Sequence, residues 1–202
     1  MVLEFEEQGY IVVRNLYDVN NHSKKIPDLF EYTKKLISNW HSHKNSVSND
    51  TQCSDTPSFY NEMEMSKIQI KLIPVLQKIT GLELYPTYNY FRIYNKNSQL
   101  KPHVDRYACE ISLSINIGYV GDIPWDLFLK DRNGKDVRVT LNPGDALIYR
   151  GCELEHWRED ADENVILQTQ LFMHYVDANG EHEDQIFDII ENGSFYEKVN
   201  IQ

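Results

Sequence analysis

The chain has no C-x-x-C pair: its three cysteines, Cys53, Cys109 and Cys152, are odd in number and irregularly spaced. That argues against a disulfide framework and predicts reduced, buried thiols in a cytoplasmic protein. No run of 18 apolar residues occurs, so no membrane-spanning helix is expected, and the acidic start over residues 1–7 has no apolar signal core. Basic residues are in deficit, 20 Lys and Arg against 31 Asp and Glu, for a net charge of −11. This disfavours nucleic acid as the main partner, because phosphate binding draws on Lys and Arg. There is no P-loop, no Rossmann glycine pattern and no Ser-His-Asp context. No repeat or low-complexity linker divides the 202 residues. One domain is expected over 1–202: an N-terminal part to residue 86, a core over 87–177 and an extension over 178–202.

Two hydrophobic periods are present. A β-branched run over 9–14 reads as a strand. In 27–40, Leu29, Phe30, Tyr32, Leu36, Ile37 and Trp40 fall at helical spacing, with Pro27 suited to the first turn. The stretch 41–59 is polar and rich in Ser and Asn, hence a loop, and its His41 and His43 read as solvated. A second helix is expected over 61–80, stopped by Gly81. From Thr87 the period becomes two, which predicts strands over 87–94, 103–105, 111–119, 126–130, 137–141, 146–149, 154–157 and 166–176. Asn133-Gly134 and the run 142–145 supply turns. Eight short strands predict a mainly β (α+β) chain folded as a double-stranded β-helix, or jelly roll, with N-terminal supporting helices against one sheet. Near the C-terminus, 185–190 reads as a short docking helix.

The residues that carry chemistry lie among these strands. His103-x-Asp105 is followed about fifty residues later by His156. Two imidazoles and one carboxylate are the ligands of a facial triad, which holds ferrous iron and leaves the opposite positions open. Residues two apart on a strand share a face. In 111–117, Ile111, Leu113, Ile115 and Ile117 alternate with Ser112, Ser114 and Asn116, predicting one packed face and one polar face lining a barrel mouth.

With these features in place, the chain resembles the Fe(II)/2-oxoglutarate-dependent dioxygenases, and within them the prolyl-4-hydroxylase-like domain of short bacterial and phage proteins. The resemblance covers residues 9–177 and rests on Tyr90-Phe-Arg-Ile-Tyr94, His103-x-Asp105, Gly144-Asp145, His156 and the run 171–177. It implies Fe(II) and 2-oxoglutarate as cofactors, iron on His103, Asp105 and His156, and Tyr94 against 2-oxoglutarate. The implied reaction hydroxylates a C–H bond of a peptidyl or small-molecule substrate, releasing succinate and CO2. The family places a cation on the last strand to clamp the far carboxylate of 2-oxoglutarate, whereas 165–170 here has none and Gln168 falls nearest that place. Glutamine offers no charged fork. Arg92 is the first candidate to replace it, since it shares a strand face with Tyr90 and Tyr94; Arg106, Arg150 and Arg158 follow. Asn116 is a further co-substrate candidate. Tyr90, Arg106, Trp157 and His174 are candidates for the substrate pocket. The missing cation keeps two alternatives in view: a cupin-like metalloenzyme that does not use 2-oxoglutarate, and a non-catalytic metal-binding sensor or scaffold.

Overall fold

The computed structural model describes residues 1–38, 46–47, 53, 56–161 and 164–186. Helix α1 (Val2–Gln8) leads into strand β1 (Tyr10–Val13); α2 (Leu29–Ile37), β2 (Ser46–Val47), β3 (Ser58–Tyr60) and α3 (Met63–Thr80) follow. The later strands are β4 (Leu84–Asn95), β5 (Leu100–His103), β6 (Ile111–Gly121), β7 (Leu127–Lys130), β8 (Asp136–Val139), β9 (Ala146–Tyr149), β10 (His156–Arg158) and β11 (Val165–Asp177). They form a seven-stranded sheet in the order β1-β9-β6-β11-β4-β3-β2 and a four-stranded sheet in the order β5-β10-β7-β8. All pairings are antiparallel. This is the expected double-stranded β-helix. No helix among the described residues is long and apolar enough to cross a membrane.

The alternation in β6 decides which way the large sheet faces. Ile111, Leu113, Ile115 and Ile117 join Leu171 and Met173 of β11 in one cluster with Phe5, Leu29, Met65, Ile68, Leu72 and Leu76 of the helices. The helices therefore buttress the outer face of that sheet, and each buried aliphatic side chain contributes roughly 1.5–3 kcal/mol. The opposite face, with Ser112, Ser114 and Asn116, turns toward the small sheet. A second cluster, including Leu127, Leu129, Val139, Leu147 and Leu154, closes the space between the sheets.

Several expected boundaries move for identifiable reasons. Gly9 does not begin a strand; it caps α1 in the left-handed region (φ 78), its N–H bonding Phe5 O. Helix α1 buries only Phe5, so it leaves no periodic stripe to read. The helix expected from Pro27 starts at Leu29, because the Asp28 side chain accepts the Glu31 N–H as its cap. Helix α3 starts at Met63, capped by Glu62, and ends at Gly81 (φ 77) as expected. A 3₁₀ turn over Glu183–Gln185 leads up to the stretch where the short docking helix is expected. Residues 187–190, Trp40 and the His41/His43 pair lie outside the described residues.

Candidate metal centre

Strands β5 and β10 run antiparallel with His103 opposite His156, their rings 4.2 Å apart. Asp105 is not on the strand with His103, which ends β5. It reaches the same point from the following loop, held by its own N–H to Gly151 O (2.9 Å) and by the Ser112 hydroxyl, which donates to Oδ2 (3.2 Å). Asp105 Oδ1 is 3.7 Å from His103 Nε2 and 3.6 Å from His156 Nε2. Each imidazole Nδ1 meets a carbonyl, Lys101 O at 2.7 Å and Leu154 O at 2.9 Å. A carbonyl only accepts, so Nδ1 carries the proton and the Nε2 lone pair faces the carboxylate.

Electrostatics favours the same protonation state. Burial pushes the His156 pKa down to about 4, against the opposing pull of Leu154 O and Glu155. Burial, with His156 alongside, lowers that of His103. Burial also raises Asp105 to about 6, while His103, Ser112 and Arg106 act against it. Both imidazoles are thus neutral at pH 7, beside a half-buried carboxylate short of positive charge. The three donor atoms lie within 4.8 Å of one another, so side-chain shifts of a few tenths of an ångström bring them to bonding distance of one ion. This donor set fits a ferrous ion. Asp105, Cys109 and His174 also gather within 4.8 Å. There, burial pushes the Cys109 thiol well up and Ser112 Oγ occupies His174 Nδ1 (2.9 Å), so no thiolate is offered.

The inner face of the large sheet supplies the wall opposite. On β11 and β4, Gln168 pairs with Tyr94, Gln170 with Arg92 and Phe172 with Tyr90. On the other side of β11, Gln170 pairs with Asn116, Phe172 with Ser114 and His174 with Ser112. Tyr90, Arg92 and Tyr94 line one cavity with His103, Asp105 and His156. The cavity is narrow, about 10 Å³, on the order of a single water site.

The other expected residues are placed as follows. Arg92 is buried, its Nε donating to Ser58 Oγ (3.1 Å) and its guanidinium 5.8 Å from the Tyr94 ring. Tyr94 is fully buried, edge-on to Trp125 at 5.3 Å. The Gln168 amide is committed: Oε1 accepts the Trp125 N–H (2.7 Å) and Nε2 donates to Gln170 Oε1 (3.0 Å). Asn116 is buried, its Nδ2 donating to Leu141 O (2.6 Å). Tyr90 stacks between Tyr60 and Phe172 at 4.9 and 4.7 Å. His174 is buried against Tyr88 at 4.6 Å, and exposed Arg106 lies over the same Tyr88 ring at 4.5 Å. Trp157 does not join them. Alternation along β10 turns His156 and Arg158 inward and Trp157 outward, where it stacks on Phe128 and bonds Glu159 Oε1.

Sequence reasoning missed Ser112 and Gly151 as supports of Asp105, and Tyr149, whose hydroxyl is 3.5 Å from His156 Nε2. It named Arg158 without seeing that it faces inward. The strand expected over 154–157 stops one residue short; carried on by one, period two sets Arg158 on the His156 face.

No protein-family model matches the chain, and neither does the sequence of any curated protein. Solved structures do. A Pseudomonas putida prolyl-4-hydroxylase superposes with a TM-score of 0.68 at 11% identity, covering 87% of this chain and 96% of that one. The fold is that of the 2OG-Fe(II) oxygenases. A Trichoplax adhaerens prolyl hydroxylase, in complex with a peptide fragment of a hypoxia inducible factor, gives a TM-score of 0.66 at 10% identity over 91% and 88% of the two chains. The epimerase SnoN, in complex with Fe3+, alpha ketoglutarate and a nogalamycin, gives 0.65 at 13% identity over 88% and 82%. At these identities the likeness extends to the fold, and the argument for chemistry rests on the residues themselves.

Proposed function

We propose that this chain is an Fe(II)- and 2-oxoglutarate-dependent oxygenase that hydroxylates a C–H bond of a peptidyl or small-molecule substrate. The observation that carries the reading is the convergence of two neutral Nε2 atoms and one carboxylate in a cavity that Arg92 and Tyr94 also line. The SnoN complex with iron and alpha ketoglutarate supports the cofactors, and the Trichoplax peptide complex is compatible with a peptidyl substrate. When bound, iron would activate dioxygen, which is the oxidant: one oxygen atom would enter the substrate C–H bond and the other the succinate formed, with CO2, by oxidative decarboxylation of 2-oxoglutarate.

The protein's own residues fix geometry and exclude water. His103, Asp105 and His156 hold the ion on one side, with Lys101 O and Leu154 O fixing the two imidazole tautomers. Tyr94 and Arg92 orient the co-substrate; Gln168 and Asn116, tied to neighbouring backbone, shape that wall. Tyr90, His174 and Arg106 form the substrate side, where stacked rings keep the approach apolar. The reading is tested by anaerobic titration of the metal-free protein with Fe(II) and then 2-oxoglutarate, following the visible charge-transfer band of a chelated keto acid. A saturable band that disappears in His103→Ala is expected. Iron binding with no band would favour the cupin-like alternative. Asp105→Ala should abolish turnover while leaving the melting temperature within a few degrees of the parent; product formation by that variant under saturating iron would refute the triad.

A further inference from the structure

A cation missing from β11 need not be missing from the barrel. Two arginines are buried on the inner walls, and their guanidinium groups lie 5.8 Å (Arg92) and 5.1 Å (Arg158) from the same Tyr94 ring. They occupy different surroundings. The Arg92 charge acts on Asp105 and His103, which sets it toward the metal end of the cavity. Arg158 lies beyond, between Tyr94 and Trp125, whose ring is 5.0 Å away. One nitrogen, Nη1, donates to Trp125 O, and Nε has no hydrogen-bond partner. The Tyr94 hydroxyl lies against this guanidinium without a well-aligned hydrogen bond of its own. No carboxylate among the described residues forms an ion pair with Arg158; the Asp126 carboxylate, whose charge it feels, is bonded to Arg138 and Thr140.

A guanidinium taken out of water without a counter-ion is costly, and proteins resolve this by pairing the charge. We infer that Arg158 takes the far carboxylate of the co-substrate, in place of a cation on the last strand. The inference rests on the reading of this chain as 2-oxoglutarate-dependent. Spacing supports it. Arg158 is two residues beyond His156 on β10 and faces the same way, so the two side chains leave the strand about 7 Å apart. That interval suits a five-carbon dicarboxylate chelating the metal at one end. Arg158 Nε, with a neighbouring guanidinium nitrogen, presents the planar fork that meets a carboxylate bidentately, and the Tyr94 hydroxyl is placed to add a third donor. Gln168, at the position where the clamp is otherwise expected, is held by Trp125 and Gln170 and does not compete.

The test compares two keto acids that differ only at the far end, 2-oxoglutarate and 2-oxobutyrate, by the charge-transfer band of the anaerobic Fe(II) protein. Wild type is expected to prefer 2-oxoglutarate by about 100-fold or more, and Arg158→Gln to bind the two alike through loss of 2-oxoglutarate affinity. Arg158→Lys, which keeps the charge and loses the fork, should fall between. Should Arg158→Gln fail to fold, Arg158→Lys decides alone, with a preference at least about fivefold below wild type expected. A preference unchanged in the variants, or collapsing in Arg92→Gln and not in Arg158→Gln, overturns the assignment of Arg158 and leaves the proposed function standing. Absence of a band in wild type with either acid overturns the proposed function, and this assignment with it.

Discussion

At Gly151 a Cβ would sit 2.6 Å from Asp105 Oδ2, 2.5 Å from Ser112 Oγ and 2.4 Å from Cys109 O. Backbone there passes directly behind the carboxylate, and the Gly151 carbonyl receives the Asp105 N–H. Gly151→Ala must therefore displace Asp105 or open the turn. Since groups that orient a metal ligand typically carry 10–100-fold in affinity, Gly151→Ala should weaken Fe(II) binding by roughly that factor. Ser112→Ala, which removes one donor and displaces nothing, should cost about 10-fold. Competition titration against a colorimetric chelator measures both. Parental affinity in Gly151→Ala would mean that the turn yields and Asp105 keeps its place. The three proposed ligands were legible as residue types at a spacing. Their supports were not, because Gly151 and Ser112 acquire a role only when the chain brings β6 and the loop before β10 behind Asp105.

Helix α3 does more than cover a sheet. Gln69, fully buried, donates from Nε2 to Tyr88 O (3.1 Å) on β4 and His174 O (2.9 Å) on β11, and accepts at Oε1 from Asn89 Nδ2. The β4–β11 register shifts between Met173 and Tyr175, so His174 has no opposite number on β4, and the helix supplies the partner its carbonyl lacks. Gln69→Leu, close in volume, leaves these groups without their donor and should lower stability by about 1–3 kcal/mol, read from the urea midpoint at constant slope. No change would mean that water reaches the bulge. The apolar stripe of α3 was readable at helical spacing through Met65, Ile68, Leu72 and Leu76. So was the period of β6, whose apolar side does face the helices. Gln69 was not readable, because its partner carbonyl lies 105 residues away at an irregularity that no local pattern encodes. Helix α1, with a single buried side chain, had no pattern to give.

Over the whole molecule, the buried imidazoles set how stability depends on pH in the metal-free protein. Burial holds His156 down to about 4 and His174 to about 3, Arg106 and His156 adding to the latter. In the unfolded chain both titrate near about 6.5. The folded pKa values lie below the unfolded ones, so this stabilisation is complete above about pH 6.5 and is lost as pH falls toward 4 and below, where the unfolded chain takes up protons the fold refuses. Asp105 works the other way: raised to about 6 against about 3.9 unfolded, it favours the fold only once protonated. One carboxylate gains over that interval while two imidazoles lose, and His103, also lowered, adds to the loss. At still lower pH, Asp145 joins them. Burial would raise its pKa, but the Asn15 amide, the Arg14 guanidinium and the Asn142 amide hold it below the usual carboxylate range. Urea midpoints of the metal-free protein should therefore fall from pH 7 to 5.5 and again to 4.5, with a shallower fall in His174→Gln. An ion on the triad should raise the midpoint at pH 7, because it binds the folded site and supplies the positive charge Asp105 lacks. That gain should shrink as acid protonates first Asp105 and then the imidazoles, since the ion needs all three without the added proton. A midpoint that is flat from pH 7 to 4.5 would mean that water hydrates these imidazoles in the folded state, and the barrel interior would then be open rather than sealed around its ligands.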